Sequence, residues 1–82
     1  MYFAKNEIIE LSGGQKHIVV DTTQLDGVYY YYVCEINASE TDILNNYHII
    51  TTVMENNILF VKTIKGDLEK KLEKVFQEKL HI

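Results

Sequence analysis

The groups in this chain of 82 residues that could bind a metal or move a proton are three histidines, one cysteine and twelve carboxylates. His17, His48, His81 and Cys34 are the soft ligands, and none of them shares a metal-site spacing such as C-x-x-C or H-x-x-x-H. A zinc site needs three or four converging ligands, so neither a metal nor a cofactor is expected. Read structurally, His17 and His48 are strand-edge residues with satisfied rings, and Cys34 is a small buried hydrophobe. A Cys–His pair stays open. Asp21, Asp26, Glu35, Glu40 and Asp42 are scattered, whereas paired carboxylates for general acid–base work need a shared cleft. No serine stands near a histidine and an aspartate in a hydrolytic arrangement. No catalytic residue is assigned.

Tyr29-Tyr30-Tyr31-Tyr32 is the other unusual run. Side chains alternate along a strand, so two of the four rings must point to each face. Strand propensity and cross-strand packing account for tyrosines here. Rings left outside could anchor a protein contact, since tyrosine offers a large area at low entropy cost. They could also stack on single-stranded bases.

Leu11-Ser12-Gly13-Gly14-Gln15 is identical to the signature motif of ABC-transporter ATPases. That resemblance implies a helix whose N-terminus meets a nucleotide phosphate. The rest of the chain departs from that family. It has no Gly-x-x-x-x-Gly-Lys-Ser/Thr loop and no acidic residue after an apolar strand in the required place. The flanks, Ile8-Ile9 and Ile18-Val19-Val20, are β-prone. The run therefore reads as a glycine hairpin turn.

These residues must be positioned by strands. Glu7 to Leu11, Lys16 to Asp21, Val28 to Ile36, His48 to Met54 and Ile58 to Ile64 are the five candidates. Thr22 to Gly27 is polar and ends in Asp-Gly, a strong hairpin signal. Asn37 to Asn46 reads as a polar connection with one helical turn around Glu40 to Leu44. Glu55-Asn56-Asn57 is a turn, because Asn tolerates positive φ. Gly66-Asp67 opens a helix running to about Leu80, with Asp67 as N-cap. Its stripe is Leu68, Leu72, Val75, Phe76 and Leu80. That stripe should pack on the sheet face bearing Cys34 and Ile36.

A two-residue Asp26-Gly27 turn sets Thr22 opposite Tyr31, Val20 opposite Val33 and Val19 opposite Cys34. One face then carries Val19, Leu25, Val28, Tyr30, Tyr32, Cys34 and Ile36. The other carries Ile18, Val20, Tyr29, Tyr31 and Val33. An Asn56-Asn57 turn places Ile49, Val53, Phe60 and Ile64 on one side, and Ile50, Met54, Leu59 and Val61 on the other. Both hairpins are apolar on both faces, and one helix covers only one of them. The sheet must curl into a small barrel or pair with another molecule. Tyr29, Tyr31, Val20 and Val33 are the candidate interface, and a bulge in Thr22 to Leu25 would swap the faces.

Composition bounds the partners. The chain is 46% hydrophobic with net charge −4 and no arginine. Nucleic-acid binders display clustered Lys and Arg, so nucleic acid is disfavoured as a partner. No apolar run approaches the ~18–20 residues that span a bilayer. The N-terminus has no secretory h-region, and Cys34 has no partner for a disulfide. A cytoplasmic location is expected.

Ile8-Ile9-Glu10-Leu11, Lys16 to Thr22, Asp26 to Tyr30 and the Leu72, Val75, Phe76 helix together resemble short uncharacterised proteins of low-GC Gram-positive bacteria and their phages or conjugative elements. The resemblance spans most of the chain and implies a mobile-element accessory protein. The expectation is therefore one α+β domain over residues 1–82. It comprises a curved antiparallel sheet of about five strands, an SH3-like half-barrel, and one C-terminal amphipathic helix. The expected function is a non-enzymatic protein-interaction module with an unknown protein partner or a second copy of itself. A single-stranded nucleic-acid binder using tyrosine stacking is the alternative, and a small hydrolase-like enzyme is third.

Overall fold

Two turns set the sheet. Asp26 and Gly27 have φ of 52° and 80°, and Asn56 and Asn57 have 51° and 65°. Positive φ at both central residues is the hairpin geometry that matches strand twist, and Asp-Gly and Asn-Asn tolerate it. In the computed structural model, which describes residues 2–11 and 13–80 (Leu80 by its backbone alone), five strands form an antiparallel meander. They are β1 (Ile8–Glu10), β2 (Lys16–Leu25), β3 (Val28–Ile36), β4 (Ile43–Glu55) and β5 (Ile58–Thr63). They are hydrogen-bonded in sequence order, and the sheet curls into a half-barrel. The helix α1 (Asp67–Leu80) closes the chain on one face. His81 and Ser12 lie outside the described residues.

Both hairpins have the expected turns, with Leu25 opposite Val28 and Glu55 opposite Ile58. Thr22 faces Tyr31 as read from sequence. The register then shifts between Val19 and Asp21, leaving Val20 as an extra residue. The expected pairs Val20–Val33 and Val19–Cys34 are therefore wrong. Val19 faces Val33, and Ile18 faces Cys34. The bulge lies at Val20 rather than within Thr22 to Leu25, which are regular strand.

β4 begins at Ile43, five residues before its expected start, and no helical turn forms there. The Asn37 side chain explains this. Its Oδ1 accepts the N–H groups of Thr41 and Asp42 at 2.8 and 3.0 Å, closing a tight loop. Ile43 then returns opposite Ile36.

Two apolar layers result. On the inner, concave face, Ile9, Val19, Tyr31, Val33 and Ile50 pack with Phe3 and Leu11 over them. On the outer face, Tyr30, Ile49 and Ile64 meet Leu72 and Phe76 of α1. The helix thus sits on the face that carries Cys34 and Ile36, as its apolar stripe requires. Its first carbonyl partner is Gly66, which accepts from Lys70 N–H at 3.2 Å. Gly66 is thus the N-cap and Asp67 the first helical residue, where its charge complements the helix dipole.

Candidate interaction surface

The tyrosine run is mostly consumed by the core. Tyr31 has no accessible surface, and Tyr30 keeps 8%. The Phe3 ring meets Tyr31 edge-on at 5.0 Å, and the Tyr31 hydroxyl accepts the Tyr2 N–H at 3.0 Å. Tyr32 stacks between Phe76 and Tyr47, each at 5.3 Å. Burial raises the Tyr32 pKa, and Tyr47, Glu73 and Cys34 push the same way. Only Tyr29 stays exposed among the four.

The interface expected at Tyr29, Tyr31, Val20 and Val33 is therefore not assembled as one exposed set. Val33 is fully buried beside Tyr31, and Val20 is half-buried at the bulge. Two causes combine. The bulge turns Val19 rather than Val20 inward, and the N-terminal segment covers the inner face, which sequence patterning left bare.

The bare surface lies one hairpin further on. Every residue of β5 is exposed, along with Met54 at the end of β4. Ile58 is 57% exposed and Phe60 48%, both on the helix side of the sheet. Leu59, Val61 and Met54 are exposed on the opposite side. The helix lies over β2 and β4, with Phe76 on Tyr32 of β3, and leaves every residue of β5 exposed. Glu10 and Leu11 line an open cavity of about 360 Å³ together with Leu59, Val61 and Thr63 of β5. The two ends of the sheet do not hydrogen-bond to each other, so the half-barrel stays open along β5.

The potential catalytic groups are not brought together. His17 and His48 meet on the inner face with ring centres 5.7 Å apart. Cys34 lies on the helix side, opposite Tyr47, so no Cys–His pair forms. His17 is 1% exposed, and among the described residues neither ring nitrogen has a hydrogen-bond partner, contrary to the satisfied ring expected from sequence. Burial lowers its pKa, helped by the charge of His48; the Gln15 carbonyl and Glu35 oppose the shift only in part. Among the described residues, no three His, Cys, Asp or Glu side chains converge as a metal site. Gly13 and Gly14, with φ of 89° and 78°, join β1 to β2 as a turn, and no helix opens there. Among the described residues, no helix is long and apolar enough to cross a membrane.

Compared with known proteins, the chain matches no family model, no curated protein and no solved structure.

Proposed function

We propose that this chain is a non-enzymatic protein-interaction module whose contact surface is the β4–β5 hairpin. The observation that carries this reading is a strand, β5, exposed on both faces and apolar at Ile58, Leu59, Phe60 and Val61. Contiguous apolar surface of more than a few hundred Å² marks contact sites in soluble proteins. The aromatic Phe60 and aliphatic Ile58 on the helix side are suited to anchoring a partner. A cytoplasmic setting and an accessory role in a mobile element are part of the same proposal, drawn from the free cysteine and the sequence resemblance.

The test is capture from the native host with wild-type protein and with Ile58→Ser plus Phe60→Ser. A specific protein held by the wild type and lost by the double variant, at unchanged melting temperature, supports the reading. Capture that survives both substitutions overturns it. A single-stranded oligonucleotide bound with an affinity that falls steeply with salt would favour the stacking alternative instead.

A further inference from the structure

We propose that a second copy of this chain pairs with the free edge of β5, antiparallel and two-fold about Val61, so that the two five-stranded sheets join edge to edge. This rests on the reading of β4–β5 as the contact surface and names its occupant. The backbone supplies the first argument. Ile64 N–H donates to the Ile49 carbonyl at 2.8 Å, toward β4. Backbone groups alternate sides along an antiparallel strand. Ile58, Phe60 and Lys62 therefore also aim at β4, while Leu59, Val61 and Thr63 aim N–H and C=O outward, with no strand among the described residues to receive them.

This edge also lacks the usual protection. Exposed edges are blunted by proline, bulges, short length or several charges. β5 has no proline and no register shift against β4, and Lys62 is its one charge. The opposite edge of the sheet, β1, is blunted by having only three residues.

The strand is self-complementary, which selects a second copy over an unrelated strand. A two-fold axis at Val61 sets Val61 against Val61, Leu59 against Thr63, and Phe60 against Lys62. The two Lys62 ammonium groups never face one another, and each lies beside an aromatic ring on the same side of the sheet.

The register makes the test sharp. Val61 N–H is unused within one copy, so Val61→Pro keeps the β4–β5 ladder and blocks the edge; Val61→Lys blocks it without proline. Sedimentation equilibrium at tens of micromolar should show a dimer for wild type and a monomer for both variants, each with near wild-type melting. Under mild oxidation, Val61→Cys should cross-link to its copy, since directly opposed residues have Cα atoms about 5.5 Å apart, a disulfide distance. Phe60→Cys should not, and buried Cys34 does not compete. A strictly monomeric wild type overturns the proposal. So does a dimer that persists in both Val61→Pro and Val61→Lys. If such a dimer is dissolved by Ile58→Ser plus Phe60→Ser, the contact-surface reading stands and only the edge pairing falls.

Discussion

The β2–β3 and β4–β5 hairpins obey the same local rules and end in opposite environments. Each has a two-residue turn at positive φ, and each is apolar on both faces. In β2–β3, Tyr31 and Val33 are sealed on the inner side and Tyr30 on the outer. In β4–β5, Phe60 and Ile58 stand bare outside, and Leu59 and Val61 stand bare within. Strand patterning is indifferent to this difference. What decides it is which segments lie above: α1 and residues 2–11 bury the middle of the sheet, while every residue of β5 stays exposed. An apolar strand face therefore becomes core or open surface according to its cover.

The largest effect should come from the covered region. Phe76→Ala removes a fully buried ring stacked on Tyr32 and should cost about 3–5 kcal/mol in urea melts. A loss below about 1 kcal/mol would mean the helix does not hold the sheet.

The two turns should differ in what they tolerate. Gly27 has φ of 80° with open space where a Cβ would go, so the cost of Gly27→Ala is backbone strain alone, about 1–2 kcal/mol. At the matching place in the second hairpin, Asn57 at φ 65° should accept Asn57→Gly with a change of a few tenths of a kcal/mol. Thermal melts of the two variants compare the turns directly.

Acid should act on the covered region as well. His17 binds a proton less readily in the folded chain than its ordinary value of 6.5. The unfolded chain then takes up more protons below that value. Stability should be full above about pH 6.5, fall as pH drops toward the lowered pKa, and level off beneath it. His17→Leu should flatten that part of the urea-melt profile; an unchanged slope would assign it to other groups.

The smallest effect belongs to the bare hairpin. Phe60→Ala at concentrations dilute enough to exclude association should change stability by less than about 0.5 kcal/mol. A large loss would make Phe60 core and erase the contrast.

How much of this was legible in the sequence follows from range. Period-two alternation, Asp26-Gly27, Asn56-Asn57 and the Leu72-Val75-Phe76 stripe are local signals, and they place both hairpins and the helix correctly. The face assignment of the second hairpin needs only its turn, and it matches the structure. The first hairpin fails at Val20, because a bulge has no side-chain signature there. The early start of β4 depends on Asn37 capturing the N–H groups of Thr41 and Asp42, a loop closure that polar composition hides. Tyr31 is lost from the expected surface because its burial depends on Tyr2 and Phe3, residues far away in sequence. The openness of the sheet beside β5 was likewise invisible to local patterning.

Residue-resolved amide exchange in β5 at two protein concentrations reads the edge pairing directly. Phe60 and Lys62 N–H groups are bonded to β4 and should be protected at both. Leu59, Val61 and Thr63 N–H groups should exchange freely when dilute and become protected as concentration rises through the dimer range. Fast exchange of Leu59, Val61 and Thr63 at every concentration would contradict pairing at this edge.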